Sequence, residues 1–251
     1  MATKKTIKRC SVKEIKAKVQ ALKATRGVWE NHWQELTDHI LPRKNTINIT
    51  RTDGEKRTWQ LLDNSGVHSN ELLAGALHGL MTNPDLPWFE LTTGNEKMDA
   101  EDEVRGWLQR TARKMHNVMN NSNFQTEVHE LYLDLGCIGT ACMQVEEDEK
   151  DVVRYTTNFI AEYYIDESPY GFVDQVYREW KWSPAQIIAR FGEKNVSPKV
   201  LKSYKKGEEC KYTVGQAVYP AYIVKDDSEG DRKLAQDKFI VTGKQIGRAH
   251  V

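Results

Sequence analysis

Residues 62–84 read LDNSGVHSNELLAGALHGLMTNP, and the pattern within them decides the class of fold. Leu72, Leu73, Ala76, Leu77 and Leu80 fall on one face at helical spacing, which predicts a helix from about Asn64 to Met81. Gly66, Ala74, Gly75, Ala76 and Gly79 keep the other sides small. Small side chains let another backbone approach closely, so this helix suits packing on more than one side. Asn83-Pro84 stops it, and Pro87-Trp88-Phe89-Glu90-Leu91 reads as a short strand.

Upstream, Ser11 and Glu14 form a capping box, and Val12, Ile15, Val19 and Leu22 recur at helical spacing until Gly27 interrupts. Trp29, Trp33, Leu36 and Ile40 continue the stripe up to Leu41-Pro42. The expectation is a pair of helices or one bent helix, with the two tryptophans in the core. Residues 43–59 are polar and β-prone around a Thr52-Asp53-Gly54-Glu55 turn, which predicts a loop or a short hairpin. Downstream, Asp99 to about Asn120 is acidic at the front and basic behind, matching a helix dipole, with Val104, Trp107, Leu108, Ala112, Met115 and Met119 as its buried stripe. A second helix runs from about Asn123 to Leu135, and Gly136-Cys137-Ile138-Gly139 breaks it.

From Thr140 the hydrophobic period changes to two. The alternation over 142–147 and 152–159, around the charged turn Glu147-Asp148-Glu149-Lys150, predicts a hairpin. Ala161–Ile165 and Phe172–Trp182 follow as strands, bracketing a Ser168-Pro169-Tyr170-Gly171 turn. Ser183-Pro184 opens a short helix through Phe191 and Ser197-Pro198 a second to about Tyr204, each with Pro at the first helical position. Tyr212 to Val224 reads as one more strand or two. The fold class is therefore α+β: an N-terminal helical region followed by an antiparallel β-sheet with short helices. The domain reading is a basic N-terminal arm and helix start over 1–26, a helical region over 11–135, and a mainly antiparallel β region with short helices over 136–240.

A chain of 251 residues with 39% apolar residues and seven tryptophans has enough bulky apolar matter to fold. Its 36 basic and 36 acidic residues cancel, which argues against tight general binding to a nucleic-acid backbone. The charge is nevertheless segregated: residues 1–26 carry +8 and residues 127–179 carry −10. The arm and the acidic middle can meet within one subunit, across subunits or not at all. Cys10, Cys137, Cys142 and Cys210 include no C-x-x-C pair and no histidine at ligand spacing, so no zinc site is expected. No apolar core follows the basic start and no window holds eighteen apolar residues, so neither secretion nor membrane spanning is expected, and the thiols are read as free in a reducing cytoplasm.

Enzyme motifs are missing. Gly243-Lys244 is followed by Gln, His129-Glu130 has Leu at position 133, and Gly136-Cys137-Ile138-Gly139-Thr140 lacks a strand-to-helix context. The densest acidic run, Glu146-Glu147-Asp148-Glu149, sits on a strand and its turn, where neighbouring side chains point different ways. It reads as a solvated turn before it reads as a divalent-metal site. No catalytic residue, cofactor or metal is assigned.

The segment from Leu62 to Pro84, with Trp88-Phe89-Glu90-Leu91 after it, resembles the head-to-tail connector, or portal, family of short-tailed bacteriophages. The resemblance rests on an ordered series. A Leu-Pro-Arg at Leu41-Pro42-Arg43 comes first, then an Asp-x-[ST] helix at Asp63 that includes Leu73, Ala74 and Leu80, then the Trp-Phe-x-Leu pattern at Trp88 and Phe89. The Leu135-Gly136-x-x-Gly139-Thr140 break and the Gly171-to-Glu179 stretch with Arg178 complete it, over roughly residues 11–225.

The resemblance implies a portal wing-like fold. It also implies a structural subunit, without catalysis, of a ring, commonly a dodecamer, at one capsid vertex. Viral double-stranded DNA would be packaged and later ejected through that ring. The implied partners are further copies of the chain, the DNA, the terminase motor, tail or adaptor proteins, scaffold and major capsid protein, with no membrane. The implied location is the virion, and the host cytoplasm during assembly. Net neutrality suits such a conduit, because a channel that neutralised many phosphates would hold the duplex.

Two other classes remain open on the residues alone: a metal-dependent nucleic-acid-processing enzyme using the acidic cluster, and an adaptor whose basic arm binds an anionic partner. Ile246–Val251 is what ATC GGA AGA GCA CAC GTC encodes, a string resembling a sequencing-adapter read. The expectation is a reading frame cut off after about Gln245, with 246–251 adapter-derived and the stem and clip regions missing; the alternative is an ordinary polar tail.

Overall fold

The computed structural model describes residues 12–220 apart from Asp53 and Pro169, together with the backbone of residues 5–8, 222–225 and 239–240. The Ser11 half of the expected capping box, Cys10 and the 246–251 tail lie outside the described residues. The chain is α+β, as its periodicity requires, and divides into two compact units: residues 28–161, and residues 1–27 together with 162–251.

Helix α1 (Val12–Ile40) contributes to both units. It runs through Gly27, where the sequence suggested a break. A single glycine costs a helix interior only about 1 kcal/mol. Of the two tryptophans expected in the core only Trp33 is half-buried; Trp29 is largely exposed and stacks on Trp33 at 6.3 Å. Leu41 leaves the helix and is buried, and Pro42–Lys44 form one short 3-10 turn.

In the unit of residues 28–161, α2 (Ser65–Met81), α4 (Asp102–Asn121) and α5 (Phe124–Ile138) surround a core with the hairpin of β2 (Cys142–Asp148) and β3 (Val152–Asn158). A single-turn helix, α3 (Glu96–Asp99), precedes α4. Leu41, Ala74, Phe124, Val128, Tyr132, Leu133, Cys137 and Tyr155 form the core, each large side chain contributing roughly 1.5–3 kcal/mol. Helix α5 extends one turn past the expected break and ends at Gly139, whose φ of 80° is the left-handed conformation of a helix stop. The residues after α2 are not a strand. Among the described residues nothing pairs with Trp88–Leu91; instead the Trp88 ring stacks on Phe124 at 6.0 Å, and Phe89 meets Trp88 edge-on at 4.9 Å. A strand needs a neighbour to satisfy its backbone, and β-prone residues alone supply none.

In the other unit, β4 (Tyr163–Glu167), β5 (Val173–Trp182), β6 (Tyr212–Pro220) and β8 (Phe239–Ile240) form an antiparallel sheet in the order β4-β5-β6-β8, and β1 (Lys5–Lys8) pairs with β7 (Tyr222–Lys225). Helices α6 (Pro184–Phe191) and α7 (Pro198–Lys205) pack their buried Ile187 and Val200 against Tyr212 and Val214. Ser183 accepts from the Gln186 amide while the Gln186 side chain accepts from the Ser183 amide, the reciprocal cap that its sequence encodes. A second cluster joins Val19 of α1 to Tyr164, Tyr177 and Ala217.

The segregated charges meet here, inside one subunit. Lys18 pairs with Asp166 at 2.6 Å, Lys23 with Glu179 at 2.7 Å, and the Arg26 guanidinium donates to the Tyr163 carbonyl and lies 4.1 Å from the centre of the Tyr164 ring.

Candidate assembly surface

Helix α2 is apolar on two sides, and its own subunit covers one of them. Asn70 and Ala74 are buried towards α5, and the Asn70 amide donates to the Leu133 carbonyl at 3.1 Å. Gly136 makes that approach possible, because a Cβ there would meet the Asn70 side chain. Away from that contact Leu72 and Leu80 are 61% and 85% exposed, with Ala76 also in solvent, while Leu73 is exposed at the edge of the α5 contact, its Cδ2 3.4 Å from where a Cβ on Gly136 would lie. Leu62 before the helix and Leu86 after it extend the apolar surface. At α2's entry the Asp63 carboxyl is held below its usual range by the hydroxyl and amide of Ser65, which fixes where the helix begins.

The residues of the ordered series fall into distinct roles. Pro42 starts the 3-10 turn after α1, and Arg43 donates to both carboxylate oxygens of Glu130 at 2.7 Å. Ala74 is core, Leu73 and Leu80 face solvent, and Trp88 and Phe89 cap the aromatic cluster over Phe124. Gly139 ends α5. Arg178 belongs to the other unit, where its guanidinium donates to Glu162 at 2.7 Å and lies 4.5 Å from the centre of the Trp180 ring.

Two ionisable groups sit in the helical core. Asp134 is 2% exposed and takes Lys44 Nζ at 2.6 Å. Burial pushes its carboxyl above the usual range, although Lys44 pulls the other way. The Cys137 thiol is pushed up to about 12, mainly by burial.

One cluster is absent from the sequence reading. The Gln34 side chain donates to Asp38 and to the Asn45 carbonyl and accepts from the amides of Ile47 and Asn48, while Asn45 donates to Asp38 and to the Arg57 carbonyl. Arg51, with a buried side chain, faces both Asp38 and Glu55. Its only signal in the sequence is an i, i+4 Gln34/Asp38 pair. Beside it opens a wide polar depression of about 540 Å3, bordered by Asn31, Glu35 and Gln60 among others. Most polar groups of the cluster bond to one another, Asn45 Oδ1 being buried without a partner, so the cluster pins the loop after α1.

In the acidic run, Asp148 accepts from the amides of Lys150 and Asp151, which hold its carboxyl low. Glu146 accepts from Gln144, and Glu147 and Glu149 face solvent. Among the described residues no group of His, Cys, Asp and Glu converges as a metal site, and no helix is long and apolar enough to cross a membrane.

The family described as bacteriophage head to tail connecting protein matches residues 12–237. The chain is 33% identical over 216 residues to a protein of Bordetella phage BPP-1 named a probable portal protein, and 34% identical over 189 residues to the portal protein of Salmonella phage epsilon15. These alignments cover 85% and 74% of this chain but 39% and 34% of the relatives, so the chain spans well under half the length of the curated relatives that it matches.

Proposed function

The chain belongs to the bacteriophage head to tail connecting protein family, and on that premise we propose that it is a structural subunit of a portal ring at a capsid vertex. Through this ring double-stranded DNA is packaged and ejected, and the subunit performs no catalysis of its own. The observation that carries the reading is the exposed apolar stripe of α2, where Leu72, Leu73 and Leu80 lie in water on a helix already packed on its other side. A surface of that kind marks a protein contact. A closed ring supplies it without a second protein species, because each subunit presents two different faces to its two neighbours. A dodecamer is the proposed copy number, and the virion is the proposed location. Terminase, tail or adaptor proteins, scaffold and major capsid protein are the proposed partners.

The pairing of Lys18, Lys23 and Arg26 with groups of their own subunit supports a conduit over an adaptor with a free basic arm. Negative-stain electron microscopy of the protein tests the proposal. Annular particles with a central hole are expected; a uniform field of small, hole-free monomers overturns it.

A further inference from the structure

Helix α4 presents a second exposed face of different chemistry. From Val104 to Asn121 it contains no acidic residue. Trp107, Arg110 and Lys114, at i, i+3 and i+7, share one stripe, with Arg113 beside it. All four are exposed, Trp107 at 58% and so, like Met115, outside the buried stripe that its spacing suggests, and none of the three cations has an ion pair among the described residues. Arg105, nearer the helix start, is already paired with Asp102.

The same unit carries a surface of opposite character. At the tip of the β2-β3 hairpin, Glu147, Glu149 and Asp151 are exposed and unpaired among the described residues, and the exposed Val145 and Val152 flank them. Asp148 and Arg154 neutralise one another at 3.7 Å, and the exposed Lys150 in the turn offsets only one of the three remaining carboxylates, so the net charge at the tip is acidic. Both surfaces mix charge with apolar side chains, Trp107 and Met115 on α4 and the two valines on the hairpin, as protein contacts do.

We infer that the basic face of α4 docks the acidic hairpin tip of a second copy of this chain. The contact is heterologous: α4 of one copy meets β2-β3 of the next, and each copy keeps its own tip free to continue the series. Opposite charges set in apolar surroundings fix register and reject like faces. The inference rests on the ring reading, of which it specifies one contact and its polarity.

Sedimentation velocity of the chain at salt rising from about 0.05 M to about 0.5 M tests it, since exposed charges are largely screened over that range. Association is expected to weaken roughly tenfold or more with salt. The triple variant R110E/R113E/K114E and the triple variant E147K/E149K/D151K should each weaken low-salt association by about tenfold or more, with unchanged circular dichroism. In an equimolar mixture of the two triple variants both junctions of an alternating series are complementary, the reversed α4 against the reversed tip and the wild-type α4 against the wild-type tip, so hetero-association between them should return to within about threefold of wild type.

Association unchanged by either reversal, or a mixture no better than its parts, overturns the inference. So does loss of duplex-DNA retention on α4 reversal with self-association intact, which would make the partner a polyphosphate. Annular particles that survive both reversals remove this contact and leave the ring reading standing. Wild-type chain that stays monomeric in sedimentation and in micrographs removes both.

Discussion

Asn70 and Gly136 meet where α2 crosses α5: the buried Asn70 amide donates to the Leu133 carbonyl at 3.1 Å, and the space that a side chain at 136 would take is filled by Asn70 Oδ1. The crossing sets the direction in which α2 presents its exposed leucines, so the packing of the unit and its outward surface depend on one glycine.

Replacing Gly136 by Ala should destabilise the protein by about 1–3 kcal/mol through overpacking, read by urea unfolding. Asn70→Ala opens the same space, so in the double variant N70A/G136A the two changes should couple, with a total loss smaller than the sum of the single losses. Strict additivity would show that the two side chains do not compete for one volume.

The Lys44-Asp134 pair makes an asymmetric prediction. Lys44→Met leaves a carboxylate uncompensated in the core and should cost roughly 3 kcal/mol, whereas Asp134→Asn leaves a lysine that still has Glu130 at 3.4 Å and should cost less. Because the folded Asp134 carboxyl lies above its unfolded value, the native state holds its proton longer. The contribution of this group to stability is therefore full below the unfolded value and is lost as pH rises through the folded one. Stability curves measured against pH should lose that falling component in D134N.

Cys137, with its thiol pushed up to about 12, should resist alkylation at pH 8 while the protein is folded, because only the thiolate attacks. Cys142 and Cys210, which are partly exposed, should label before it. Peptide mapping after iodoacetamide, with and without urea, separates them, and labelling of Cys137 without denaturant would contradict its buried position.

The exposed stripe of α2 separates stability from assembly. Leu72→Glu with Leu80→Glu removes no buried contact, so the melting temperature should stay within the shift expected of surface changes, about 0.5 kcal/mol per site. Annular particles should be lost. A variant that melts early would place these leucines in the subunit's own core.

Much of the fold is legible in the sequence because its signals are local. Ser183-Pro184, Ser197-Pro198, Leu41-Pro42 and the change to period two after Thr140 each act within a turn or a strand pair, and the helices and strands begin or end beside them. Gly27 and Gly136 mislead for one reason: a glycine breaks a helix only where nothing else holds the helix, and here the stripes of α1 and the α2 crossing do. Trp88–Leu91 has the aromatic, β-prone residues of a strand, but a strand is settled by a distant partner, and a stacking surface on Phe124 was available instead.

The candidate surface was half legible. The all-round apolar character of α2 is in its residues, but which side the subunit leaves bare depends on Asn70 meeting α5. The Gln34, Asp38, Asn45 and Arg51 network is invisible along the chain because its members are ordinary polar residues until the loop closes over α1.

The most direct test of the central claim is native mass spectrometry of the protein at low salt. The account predicts a single closed assembly whose mass is an integral multiple of one subunit, 28.9 kDa for this chain, with no open-ended ladder of sizes. A lone peak at one subunit mass at every concentration would contradict it.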